Sequence, residues 1–557
     1  MAAYDDTKDL AATGITPVVD SHGDVESQPD NTKYDTLVDV NTGLYDGVHR
    51  GMEQRHLQMY ALAGTLGTGL FLTSGKAISH GGPAGALLAY ITMGAIIFSM
   101  NVCLGEMATY APISGGYLHF AERWLHPSVG FALGWQGVLG GCVSNASEVV
   151  AAAILISFWD TNFSTAHQVG YIIALIVVCG VINFLGVRWF GESEFWFALI
   201  KIALIVGLIL AGLIVDLGGG PNHDRIGFRY WKDPGAFNAY VVPGSTGKFL
   251  GWFANLITAA YSFSGIEFIG MAAAEVKNPR VSIPKAVRRL FIRLTLFYVL
   301  GILIVGMLVP SNDPKLLQST GTAASSPFVL AFSRAGIKVL PSIINAAVLT
   351  SAISACSTGI FNSSRKLYGL ALRGQGPSIF ARTTAKGLPW VAVSFVSFWM
   401  LLAFLSLSDG SNAALEWLSN ITTLASFINW MAIAATFIRF KKGLEAQGID
   451  RKSLHYYSSL QPFHAWFCLI ALSIIVFFSG WKVFIHGHWS APSFVSNYLN
   501  LPFFFVLMAG YALFKRDPWL RPDQLDFFSN IPTDDEVAYE EPPPKNAFMK
   551  VVNYVFT

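Results

Sequence analysis

The sequence predicts an all-α integral membrane protein of twelve transmembrane helices, and three observations carry that prediction. Hydrophobic residues make up 53% of the 557 positions, charged residues only 13%, and the mean hydropathy is +0.47, a balance found in polytopic membrane proteins. Apolar stretches of about 20 residues, the length that crosses a bilayer, recur along most of the chain. Lysine and arginine fall about three to one on the side that holds both tails, which sets both termini in the cytoplasm.

The spans lie near residues 57–80, 84–110, 129–158, 169–187, 195–216, 249–275, 290–310, 339–363, 388–407, 414–438, 462–486 and 494–514. Residues 1–55 are polar and read as a disordered cytoplasmic tail. Residues 56–216 hold the first five spans, 217–248 an extracellular loop, 249–438 spans six to ten, and 439–514 the last two spans with the cytoplasmic loop before them. Residues 515–557 form a carboxyl-terminal cytoplasmic tail whose run EEPPPK is too rich in proline to fold alone. A formal net charge of +2 implies no nucleic-acid partner. The five cysteines sit inside apolar segments, as packing thiols do, with no metal or disulfide spacing.

Two spans contain their own interruption. The first carries LAGTLGTGLF at residues 62–71, where glycines loosen the helix and Thr65 and Thr68 offer hydroxyls. In hydrocarbon an opened turn leaves N–H and C=O groups without water, at several kcal/mol each, unless protein or a hydrated cavity serves them. Close packing of small residues is the competing explanation. A phosphate loop does not fit, because Ala77 follows Lys76 and no strand precedes. The sixth span repeats the pattern in AYSFSGIEFIG, with Ser262, Ser264 and Gly265 ahead of Glu267. Spans one and six run in opposite directions, the arrangement of inverted repeats of five helices whose discontinuous members meet around a substrate at the membrane midplane. Two further helices then follow the five-plus-five core.

Charges inside the apolar segments cost at least ~2.5–3.5 kcal/mol each and are functional candidates by default. They are Glu267, Glu148 in span three, Glu106 near the cytoplasmic end of span two, and Lys201 in span five. Lys201 lies about 9 Å inside the start of its span at ~1.5 Å per residue, so it either snorkels to the interface or stands as a buried amine whose proton affinity responds to its surroundings. Asp216, Glu416 and Lys482 sit at span ends and read as solvated.

The segments HRGMEQRHLQMYALAGTLGTGLF, LGEMATYAPISGGYLHFAERW, FALGWQ, YWKDPGAF, SFSGIEFIGMAAAEVKNPRVSIPKAVRR, SSRKLYGLA and FIRFKK resemble the fungal amino-acid permeases, the yeast amino acid transporter family of the amino acid, polyamine and organocation superfamily. The likeness covers roughly residues 48–515 in order. It implies twelve helices, the five-plus-five inverted repeat, and proton-coupled uptake of amino acids at the plasma membrane. Gly67, Thr68 and Gly69 match the opening of helix 1, whose amides hold the substrate carboxylate in that superfamily. Ser262, Phe263 and Gly265 match the opening of helix 6, where carbonyls receive the ammonium group and the aromatic ring caps the pocket. Lys201 resembles the helix 5 lysine that replaces a sodium ion, and Glu148 the acid of helix 3, here preceded by Ser147. Ile266 replaces a hydroxyl residue of the helix 6 motif, and Phe437 a histidine of helix 10.

The resulting expectation is a proton symporter importing L-amino acids, with Thr65, Gly67, Thr68, Gly69, Ser262, Phe263, Ser264 and Gly265 binding substrate and Lys201, Glu267, Glu106 and Glu148 coupling it to the proton. The proton is the coupling ion, with no other cofactor or metal and no catalytic residue. Membrane lipids and cytoplasmic regulatory proteins acting on the tails, through Lys8 and Lys33 for example, are the further partners. An amino-acid receptor with little transport, or an integral membrane enzyme, are the rival classes.

Overall fold

The computed structural model describes residues 67–533, apart from 114, 161, 163, 272, 274–275, 318–325, 385–386, 409–410 and 530. Thr65, the amino-terminal tail with Lys8 and Lys33, the EEPPPK run and the part of the first span before residue 67 lie outside the described residues.

Every regular element among the described residues is helical. In chain order the main helices are α1 (Ser74–Tyr110), α2 (Pro127–Ile156), α3 (Thr165–Phe184), α4 (Val187–Ile214), α5 (Gly244–Phe263), α6 (Phe268–Met271), α7 (Pro279–Leu308), α8 (Leu340–Leu372), α9 (Trp390–Phe398), α10 (Ser411–Ala446), α11 (Phe463–Phe477), α12 (Ala491–Tyr498) and α13 (Asn500–Lys515). Nine helices among the described residues are long and apolar enough to cross a membrane, and ten if the bent pair α12 and α13 counts as one crossing. Fewer crossings are counted than the twelve spans of the sequence for two reasons. Spans one and two run together as Gly69–Tyr110, and the apolar part of α7 covers only Thr295–Leu308.

The join between spans one and two is a kink. Gly82 takes φ 73° and ψ 172° ahead of Pro83, and a Cβ there would meet the carbonyl oxygen of Ala236 at 2.6 Å. The backbone groups freed by the kink are used by the loop that crosses it. Ala84 N–H donates to the Ala236 carbonyl at 2.9 Å and Asn238 N–H to the Gly81 carbonyl at 3.2 Å. This is how broken helices stay viable in lipid, where no water is at hand to satisfy them.

The core is one large cluster centred on α1, α2, α5, α8 and α10, with Ala198 of α4 packed apart from it. α3, α4 and α13 instead leave large apolar side chains outward, among them Val177, Trp196, Leu213, Phe505, Val506 and Phe514, the arrangement of a lipid-facing surface. Burial along α4 follows one stripe through Glu194, Ala198, Lys201, Ile205 and Leu208, spaced as one helical face requires. All five cysteines are buried free thiols. Asp216 departs from the expectation of a solvated span end: it is buried, because the loop at residues 226–227 folds back over it and Ile226 N–H bonds its carbonyl at 3.0 Å.

After α13 the chain does not leave the protein. Residues 516–529 and 531–533 lie across the ends of α1 and α10 as a strap. Phe527 is buried among Tyr110, Trp124 and Phe440, with ring centroids 6.1, 5.7 and 5.6 Å away. Tyr110 donates to the Phe527 carbonyl at 2.8 Å, Trp124 to the Asp526 carbonyl at 2.9 Å, and Arg123 pairs with the Asp526 carboxylate at 2.9 Å.

Candidate functional site

α5 ends at Phe263 because the next residues leave helical geometry: Ser264 adopts φ −59° and ψ 140°, and Gly265 φ +96°, a conformation that favours glycine. The helix resumes at Phe268 as α6. Facing this break is the turn at Gly67 and Thr68, which leads through one π-helical turn, Gly69–Thr73, into α1. Between this turn and the break after α5 lies a cavity of about 100 Å³, walled by both and by α2, α8 and α10. With about 10–15 Å³ of such space needed per water, it suits a small solute.

Gly67, Gly69, Ser262, Ser264 and Gly265 all line that cavity, as do Glu148 and Glu267. Thr68 stands just behind its wall and donates to Glu148 Oε2 at 3.0 Å. Phe263, expected to cap the pocket, does not line it. The break follows Phe263, so its ring keeps the helical phase and buries against Tyr298, centroids 4.6 Å apart, with Tyr90 at 6.4 Å. The aromatic residues on the cavity wall are Tyr261 and Phe268. Ser262 contributes less carbonyl than expected, since Tyr298 donates to its oxygen at 2.7 Å.

Lys201 is fully buried, 0% exposed. α4 begins at Val187, so at ~1.5 Å per residue the lysine lies about 21 Å from the helix start, beyond the reach of snorkelling. It interacts electrostatically with Glu194 and Glu148. Glu148 accepts from Thr68 and, at 3.4 Å, from the Tyr261 hydroxyl. Glu106 is elsewhere, toward the end of α1, where it accepts from both Arg451 Nη1 contacts, at 3.0 and 2.8 Å, and from Ser458 N–H at 2.7 Å. That ion pair joins α1 to the loop before α11 and lines no part of the cavity.

Several residues at the site escaped the sequence. Trp430 donates its indole N–H to Glu267 Oε2 at 3.1 Å, and Lys366 lines the same cavity and interacts with Glu267. Ser354 donates to Glu194 Oε2 at 2.6 Å. Glu194 and Lys366 fell just outside spans set at 195–216 and 339–363, because hydropathy trims a span where polar residues begin, while the helices run on through protein. Trp430 carried no signal that separates a donor from a packing residue.

The family model described as "Amino acid permease" matches residues 56–522. The chain is 42% identical over 517 residues to the proline-specific permease of Emericella nidulans, covering 91% of this chain and 93% of that one. It is 37% identical to the dicarboxylic amino acid permease of Saccharomyces cerevisiae, over 88% of this chain and 81% of that one, and 35% identical to the lysine-specific permease of the same yeast, over 90% and 82%. These relatives are transporters by name, not enzymes. With a broken-helix cavity at its centre and a family match along most of its length, this chain is a multi-pass membrane protein of the amino acid permease family.

Proposed function

We propose that the protein is a proton-coupled symporter that imports L-amino acids across the plasma membrane by alternating access. The observation that carries this reading is the cavity between the Gly67 turn and the break at residues 264–267. A helix amino end is partly positive and suits a carboxylate, while the broken end of α5 and the acids Glu148 and Glu267 suit an ammonium group, so a zwitterion fits without a dedicated charged pair. Gly137, Gly140 and Gly141 keep part of the wall small, beside the polar Asn362, Lys366 and Asn429, and leave room for a compact side chain. The name of the 42% identical relative makes proline the first candidate.

The architecture that goes with it is twelve crossings in a five-plus-five inverted repeat, residues 56–216 and 249–438, with two helices added and both termini cytoplasmic. Counting the segments on either side of Gly82 separately, and α7 as a full crossing, supports that number. The proton serves as coupling ion, and cytoplasmic proteins acting on the tails are the regulatory partners.

Purified protein in liposomes, loaded with unlabelled amino acid, tests the reading by counterflow of label against a panel of twenty competitors. Transient accumulation, stronger with an inward pH gradient and competed best by small neutral amino acids, is the expected result. Saturable binding without accumulation would instead make the protein a receptor.

A further inference from the structure

The charges behind the cavity do not balance. Glu148, on the cavity wall, and Glu194 both act on a single buried amine, Lys201, so the trio carries one surplus negative charge when every member is ionised. An uncompensated buried charge costs several kcal/mol, and one proton removes it.

The position of that proton follows from hydrogen bonding. Glu148 has two hydroxyl donors, Thr68 and Tyr261. Glu194 is 6% exposed and uses only Oε2, toward Ser354, while its Oε1 is buried with no partner. The Thr358 hydroxyl, the second hydroxyl that acts on Glu194, lies on the same side of α8 and lines the substrate cavity. Lys201 follows Glu194 by seven residues on the same buried face of α4, with Ala198 between them. The two residues stand ~10.5 Å apart along the axis, and the amine of Lys201 acts on Glu194 electrostatically.

We propose that Glu194 is the inner binding site of the coupling proton, forming with Lys201 and Glu148 a relay from the substrate cavity toward the start of α4. This rests on the proton-symport reading above. Loading breaks an O–H bond of a hydronium ion in the cavity and protonates Glu148; that O–H bond breaks as Lys201 takes the proton, while one N–H bond of Lys201 breaks to form O–H at Oε1 of Glu194; unloading breaks this O–H bond to water at the cytoplasmic end of α4, with no change in oxidation state. The groups that act on Glu194 from the elements around it are few. Lys201 is the charge that acts on it among the described residues, and Ser354 and Thr358 of α8 are its hydroxyl neighbours. Glu192, two residues away, is exposed.

The test uses full-length protein in proteoliposomes, with the amino acid that gives the largest counterflow signal as labelled probe and a trapped pH-sensitive dye to follow the proton. Counterflow needs substrate exchange only, whereas accumulation driven by a pH gradient needs the proton, so the two separate coupling from folding. E194Q should lose about tenfold or more of gradient-driven accumulation and of the dye signal while counterflow falls less than about threefold. E194D should recover part of both, and E192Q should behave as wild type. If E194Q fails to assemble, S354A carries the test by moving the pH midpoint of accumulation. Wild-type accumulation and dye signal in E194Q, or an unmoved midpoint in S354A, overturn the assignment while leaving symport intact. A wild-type protein that exchanges substrate but ignores the pH gradient overturns the symport reading, and the assignment with it.

Discussion

A Cβ atom on Gly69 would stand 2.8 Å from Ser262 Cα and 3.0 Å from Ser262 Oγ. The turn that opens α1 and the last turn of α5 therefore touch backbone to backbone beside the cavity. Gly67 faces different neighbours: a Cβ there meets Glu148 Oε1 at 3.1 Å and the Ala355 Cβ at 3.6 Å.

The two glycines should fail in different ways. Gly69→Ala forces apart two backbones and is expected to cost about 1–3 kcal/mol of stability, as overpacking does, visible as a lower melting temperature in detergent. Gly67→Ala displaces only a carboxylate, so it should melt near wild type and lose substrate affinity. Equal melting temperatures for the two variants would contradict the close approach at Gly69.

Glu267, the last residue of the break, accepts from Trp430 and lies within the electrostatic reach of Lys366. Trp430→Phe removes one donor from a buried carboxylate, a loss of about 1–3 kcal/mol. Initial counterflow rates should fall roughly tenfold while the half-saturating concentration moves less than about threefold, because the partner set changes as the break closes. A change confined to half-saturation would make Glu267 a substrate contact.

The Glu106 and Arg451 pair is a structural brace. Glu106 is fully buried and the arginine partly so. Arg451→Met strands a buried carboxylate and should cost about 3–5 kcal/mol. The double variant, Glu106→Met with Arg451→Met, should recover most of that loss in thermal unfolding. A single variant no worse than a surface substitution would refute the brace.

Asp526 gives the strap a pH signature. Burial raises its carboxyl pKa, but the N–H groups of Ser529 and Phe528, with Arg123, outweigh burial and hold it down at about 2, against 3.8 ordinarily. A depressed carboxylate contributes stability that is fully present above the unfolded value and lost as pH falls through the folded one. The strap should therefore resist limited proteolysis at neutral pH and down to about pH 4, then loosen progressively below it. Asp526→Asn should be cleaved sooner at neutral pH and lose that acid-dependent step. Because the carboxylate is 45% exposed, solvent screening keeps the effect small.

The all-helical membrane class and the break after Phe263 were legible in the sequence because they rest on local signals: hydropathy over some 20 residues, and glycine with serine inside an apolar run. The cavity partners were not. Trp430, Ser354 and Thr358 meet Glu267 and Glu194 through helix packing, which no spacing along one strand of sequence encodes. Phe263 shows the same limit from the other side, since a break one residue later decides whether its ring faces the cavity or the core. Glu106, conspicuous as an acid in an apolar stretch, found its partner 345 positions away in a loop.

The kinship of Phe527 with Tyr110, Trp124 and Phe440 has a mechanical meaning. The ring is a wedge driven between the ends of two long helices, and a Cβ on Gly443 would already press it at 2.7 Å. Any motion that parts Tyr110 from Phe440 has to eject this wedge or drag it along. Force applied to the chain end, by whatever grips it, is thus transmitted straight to the seam between α1 and α10.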